Sequence, residues 1–106
     1  MSIARLMQMS AAGSGGEEPG WDISTASLAQ SFSVSAHETL PQGLFFSPDG
    51  VYMFVTGWAG DDVNQYTLTP AWDITSAVLF RRVVISSQTN NPTGVFLSPD
   101  GTKMYI

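Results

Sequence analysis

Ten residues of this chain are spoken twice. Pro41-Gln42-Gly43-Leu44-Phe45-Phe46-Ser47-Pro48-Asp49-Gly50 returns 51 residues later as Pro92-Thr93-Gly94-Val95-Phe96-Leu97-Ser98-Pro99-Asp100-Gly101. Upstream, Trp21-Asp22-Ile23-Ser24 returns at the same offset as Trp72-Asp73-Ile74-Thr75. Residues 21–55 laid over 72–106 share 14 identities in 35 positions without a gap. A fixed period of this length marks stacked, equivalent supersecondary units, none of which can bury its apolar face alone. The repeat divides the chain into a lead at 1–20 and a repeat region at 21–106. Repeat one is 21–71 and repeat two, incomplete, is 72–106.

The decapeptide has a direct physical reading. Gly-Leu-Phe-Phe-Ser and Gly-Val-Phe-Leu-Ser are short apolar runs of the kind found in strands covered on both faces. Ser-Pro-Asp-Gly ends each run as a hairpin turn. Pro48 and Pro99 preset φ, Asp49 and Asp100 tolerate the next position, and Gly50 and Gly101 accept the positive φ that closes the turn. β-branched and aromatic strand formers follow at 51–55 and 102–106. The unit is a hairpin whose first strand is expected to be the more buried.

The remainder of the period supplies two further strands. Residues 63–68 alternate, with Val63, Gln65 and Thr67 on one face and Asn64, Tyr66 and Leu68 on the other. Residues 28–35, and their heavier copy 78–86, read as outer strands. Residues 56–62 read as a turn-rich loop. Ile3 to Met9 reads as one short strand or one helical turn, and 11–20 as a flexible acidic linker. No window carries a sustained 3.6-residue apolar stripe, so no long helix is expected.

Four short strands per period are the sequence mark of a β-propeller blade. Phe-x-Ser-Pro-Asp-Gly followed by a strand such as Met53-Phe54-Val55-Thr56 resembles the tryptophan-aspartate (WD) repeat and YVTN-type propellers, over residues 21–106. The resemblance implies an all-β fold of four-stranded antiparallel blades, one complete and parts of two others, with the decapeptide as innermost strand. Tyr66-Thr67 stands where the third strand of a WD repeat ends in its Trp-Asp pair. Trp21 and Trp72 fall later and are expected to pack between neighbouring blades.

Composition excludes several function classes. Only Arg5, Arg81, Arg82 and Lys103 are basic, against a net charge of −5, which argues against a nucleic-acid partner. There is no cysteine, hence no thiol nucleophile or cysteine metal site. No apolar stretch approaches the roughly 20 residues of a membrane span, and Leu6-Met7-Gln8-Met9 is too short for a secretion signal. The sequence fixes no localisation.

Few residues offer chemistry. Trp58, in a Gly-flanked loop beside Asp61, Asp62 and Asn64, could stack on a sugar ring while the polar side chains bond its hydroxyls. Asp61-Asp62-x-Asn64 lacks the spacing and ligand number of a calcium loop, so no metal or cofactor is expected. His37-Glu38 has the residue types of a base and its orienter, without a nucleophile beside it, and reads as a solvated loop. The functional expectation is a non-enzymatic structural or binding module, of a virion tail, fibre or surface protein, with a glycan or protein ligand. The alternatives are a fragment of a metal-dependent lactonase-like hydrolase, drawing on Glu38, Asn90 and Asn91, or a scaffold for protein partners. Two periods cannot close a propeller of about 4–8 blades. Closure is expected either from further copies of the chain in a ring, three copies giving six blades, or from the remainder of a longer propeller.

Overall fold

The structure is a computed structural model that describes residues 3–8 and 22–106. Trp21 and the 11–20 linker lie outside the described residues. Three antiparallel sheets follow one another along the chain. The first pairs β1 (Ile3–Gln8) with β2 (Ser27–Ser33), the second runs β3 (Pro41–Phe46), β4 (Tyr52–Gly57), β5 (Asp62–Thr67) and β6 (Val78–Val84) in sequential order, and the third pairs β7 (Phe96–Leu97) with β8 (Met104–Tyr105). Among the described residues the helical structure is two 3₁₀ turns, η1 (Ile23–Thr25) and η2 (Ile74–Ser76). The protein is all-β, and Ile3 to Gln8 is a strand.

Strand alternation divides the central sheet into two apolar faces. Met53, Val55, Tyr66 and Leu68 point one way and join Ile74, with Ala4, Val34, Leu6 and Phe32 arriving from the first sheet. Phe54 and Val63 point the other way and join Ile85, Phe45 and Tyr52, with Val95 and Leu97 arriving from the third sheet. Burying each large apolar side chain contributes roughly 1.5–3 kcal/mol, so these two seams stack the sheets face to face.

The buried strand of the hairpin is the second, contrary to the sequence expectation. β4 is buried from Met53 to Gly57, whereas β3 alternates between exposed and half-buried positions. β4 has a hydrogen-bonded neighbour on each edge and a sheet on each face; β3 is an edge strand. The edge serves another purpose. A Cβ on Gly43 would stand 2.9 Å from the Cα of Gly94, its equivalent one period on. β3 thus approaches the segment leading into β7 at Gly43, closer than a side chain there allows, whereas a Cβ on Gly94 would meet nothing.

The two turns repeat atom for atom. Gly50 N–H donates to Ser47 O (2.9 Å), and Gly101 N–H to Ser98 O (2.8 Å). The Ser47 and Ser98 hydroxyls donate to Asp49 and Asp100 (2.7 and 2.8 Å), and each carboxylate also accepts the amide two residues on, from Val51 and Thr102. These serine hydroxyls, before the other contacts, hold both aspartates below the usual carboxylate range. Gly50 and Gly101 sit at φ +74° and +73°, where a Cβ is strained. Pro48 and Pro99 are exposed at the turn tips.

Candidate functional site

The polar residues of the central sheet gather at the β4–β5 turn. Thr56, next to last in β4, donates its hydroxyl to Asp62 O (2.8 Å). Residues 58–61 make the turn, and Asp61 holds φ 46°, a left-handed conformation that aspartate tolerates better than most residues. Its carbonyl accepts the Ile85 amide (2.7 Å), anchoring the far end of β6.

β5 begins at Asp62, one residue before the sequence expectation, and that residue decides the site. Within a strand, Asp62, Asn64 and Tyr66 share one face, the face turned to the first sheet. Asp62 and Asn64 are fully buried. Asn64 donates Nδ2–H to Asp62 Oδ1 (3.1 Å), and Asp62 Oδ2 is paired with the Arg82 guanidinium. The Asn64 and Asp61 Oδ1 atoms are buried without a protein donor. The expected quartet for a sugar is therefore not assembled. Asp62 and Asn64 face inward, while Trp58 stands 44% exposed on the turn.

Glu38 overturns the expectation of a solvated His37-Glu38 loop. Its side chain is 1% exposed, and its carboxylate accepts three backbone amides: Leu40 (2.9 Å) and Ala59 (3.0 Å) at Oε2, and Gly60 (3.3 Å) at Oε1. The Trp58 amide donates to Leu40 O (3.1 Å) beside it. Gly57 has no side chain because one would collide with the Glu38 carboxyl. The carboxylate thus clamps the β2–β3 connection onto the β4–β5 turn, a charge-assisted arrangement. Glu38 was hidden by the repeat, since its copy is Thr89. Thr89 keeps the local half of the pattern, accepting the Asn91 amide (3.3 Å), and is too short for the rest.

His37 lies over the same cluster, its Nδ1 3.2 Å from the Tyr66 hydroxyl and its ring edge-on to the phenol. Tyr66 is fully enclosed. Burial first, then the Asp62 and Glu38 carboxylates, push its phenol up to about 12. Chemically the cluster is a closed structural network. Its two carboxylates are engaged by backbone amides and a guanidinium, and its histidine by a phenol. Asn90 and Asn91 are exposed on the β6–β7 connection. Among the described residues no three His, Asp or Glu side chains gather as a metal would need, and no helix is long and apolar enough to cross a membrane.

Trp72 departs from its expected place between blades. Its indole lies on Gly50 and beside Phe46, ring centroids 5.6 Å apart, within its own sheet, and it is 52% exposed. A positive φ of 68° and the Trp72 N–H to Gly50 O bond (2.9 Å) turn the ring back over the β3–β4 turn. A groove of about 480 Å³ runs between the two Ser-Pro-Asp-Gly turns, lined by Phe45, Tyr52, Phe54 and Leu97 with Asp49 and Asp100. In comparisons with protein-family models, curated proteins and solved structures, nothing matches this chain.

Proposed function

We propose that this chain is a non-enzymatic binding or structural module built of β-propeller blades, with β3–β6 as a complete blade. The observation that carries the reading is the repeated stacking. Sheets one period apart pack face to face, come close where Gly43 meets the segment leading into β7, and turn through the same Ser-Pro-Asp-Gly geometry. The engagement of Glu38 and Asp62 in structural bonds supports a binding role over hydrolysis, because the two fully buried carboxylates of the cluster are already bonded to the protein. The side chain offered outward is Trp58. An exposed indole on a turn clamped from beneath is suited to stack on a sugar ring or a protein side chain. A virion tail, fibre or surface protein is the setting that fits a chain so low in charge.

Wild type and Trp58→Ala are compared on a glycan array, with a metal-supplemented lactone and ester screen run alongside. Saccharide binding that disappears in Trp58→Ala supports the module. Metal-dependent hydrolysis by the wild type overturns it in favour of the hydrolase alternative, and capture of a protein partner through other loops would mark a scaffold.

A further inference from the structure

β1 bears no sequence resemblance to β5, yet the two strands occupy the same place. β5 pairs with β6 as Asp62↔Val84, Val63↔Val83, Asn64↔Arg82, Gln65↔Arg81, Tyr66↔Leu79 and Thr67↔Val78. β1 pairs with β2 as Ile3↔Ser33, Ala4↔Phe32, Arg5↔Ser31, Leu6↔Gln30, Met7↔Leu28 and Gln8↔Ser27. Every β2 partner is a β6 partner moved by 51 residues. The bulge falls at the same step, skipping Ala29 in one pair and Phe80 in the other. β1 and β2 therefore hold the places of the third and fourth strands of a repeat unit, and no described strand of the chain pairs with the other edge of β1. β7 and β8 are the first and second strands of a unit, equivalent to β3 and β4 by the same offset.

The uncovered surfaces agree with this. Ile74 of η2 is 2% exposed, sunk among Ala4, Val34, Leu6 and Phe32 of the preceding sheet. Its copy Ile23, on an identically capped η1, is 82% exposed. The residues equivalent to that preceding surface, moved forward along the repeat, are Val63, Ile85, Gln65 and Val83. Three of them line an open groove with Phe54, Arg81 and Met104. One face of the protein thus carries an isoleucine without a socket, and another carries the socket.

We propose that a second copy of this chain docks there, the β1 edge of the second copy adding to the edge of β8 that no described strand pairs. The register follows from β4–β5, where Met53 faces Tyr66, Phe54 faces Gln65 and Val55 faces Asn64. Moved forward, Met104 faces the second copy's Met7, Tyr105 its Leu6 and Ile106 its Arg5. The merged sheet is β7–β8 of one copy and β1–β2 of the next, and Ile23 of the second copy enters the groove at Val63 and Val83. One contact is not repeated: Ile74 N–H donates to Gln30 Oε1 (3.2 Å), and the equivalent of Gln30 is Arg81, which has no acceptor. The contact is head-to-tail, so it closes into a ring or runs on as a filament. Each copy completes two units, and a ring of three or four copies falls within the usual blade number. The inference rests on the pairing registers and is independent of what ligand Trp58 meets.

The chain has no cysteine, which makes the register directly testable. Met7 and Met104 are both exposed, at 48% and 41%, so Met7→Cys with Met104→Cys leaves the fold undisturbed. Directly opposed residues of an antiparallel pair bring Cα atoms to about 4.5–5.5 Å, within the Cα separation of a disulfide. Mild oxidation of the full chain is expected to link copies into covalent oligomers, while Met7→Cys with Tyr105→Cys, whose side chains leave opposite faces, does not link. Native mass spectrometry of the wild type is expected to give one discrete trimer or tetramer, and Ile23→Asp to reduce it to monomer with an unchanged circular dichroism spectrum. A monodisperse wild-type monomer, a disulfide formed within one chain, equal linking in the out-of-register pair, or an oligomer indifferent to Ile23→Asp each overturns the proposal. Irregular aggregate without the 7–104 disulfide does so too, and assigns the β8 edge to a different stretch of polypeptide.

Discussion

The indole of Trp72 rests on the Cα of Gly50, where any Cβ would meet the ring. Two independent constraints therefore act on Gly50, the left-handed φ and the ring above it. Gly101 shares the φ but has open space around it. Gly101→Ala is expected to cost about 1–2 kcal/mol for the backbone alone, and Gly50→Ala distinctly more, on the order of 3 kcal/mol. Urea melts of the two variants check the difference. Equal losses would mean that the ring gives way freely.

Trp72 itself is a less costly residue to lose than a buried aromatic. Half exposed, it should lose about 1–2 kcal/mol on truncation to Ala, below the ~3–5 kcal/mol of a core Trp. Because Trp72 carries a positive φ, Trp72→Gly should recover roughly 1 kcal/mol relative to Trp72→Ala. Trp58→Ala, on the exposed turn, should leave the melting curve unchanged within ~0.5 kcal/mol. An equally large loss at position 58 would assign Trp58 to packing and remove the ligand reading.

Glu38 is the pin of the β4–β5 turn. Glu38→Ala strands the Ala59 and Gly60 amides, each at about 1–3 kcal/mol, so a loss of about 2–6 kcal/mol is expected. Glu38→Gln keeps an acceptor oxygen and should restore about half. Amide hydrogen exchange at Ala59 and Gly60 should accelerate in Glu38→Ala before exchange in β4 does. Unchanged protection at both amides would contradict the clamp.

What was legible in the sequence follows the repeat, and what was not departs from it. The hairpins, their glycines and the four-stranded order could be read because the same physical problem was solved twice. β1 could not be placed, since Ile3–Gln8 shares no pattern with Asp62–Thr67 and its connection to the next strand is eight residues longer than that of β5. Glu38 was invisible because its copy is Thr89, whose side chain keeps only the local bond to the amide two residues on. Asp62 read as the last residue of the loop before the strand that holds Asn64; a single residue of strand extension set it on the inward face beside Asn64. Trp72 read as core by residue type, but its backbone conformation, which no propensity predicts for Trp, set the ring on a turn instead.

Tyr66 should make the protein sensitive to alkali. The phenol stands at about 12 in the folded chain against roughly 10 when unfolded. Below pH 10 it is neutral in both states, and its contribution to stability is fully present. Between pH 10 and 12 the unfolded chain gives up the proton and the folded chain keeps it, so stability falls as pH rises through the folded value. Tyr66→Phe removes the proton altogether. The variant should lose about 0.5–1.5 kcal/mol at pH 8 with its bond to His37, and its stability should fall less steeply between pH 10 and 12. Absorbance titration gives the direct reading. One of the three tyrosines should ionise late in the wild type, and that late phase should vanish in Tyr66→Phe. Three phenols titrating together near pH 10 would mean that water reaches Tyr66, and that the network beneath the β4–β5 turn is open rather than closed.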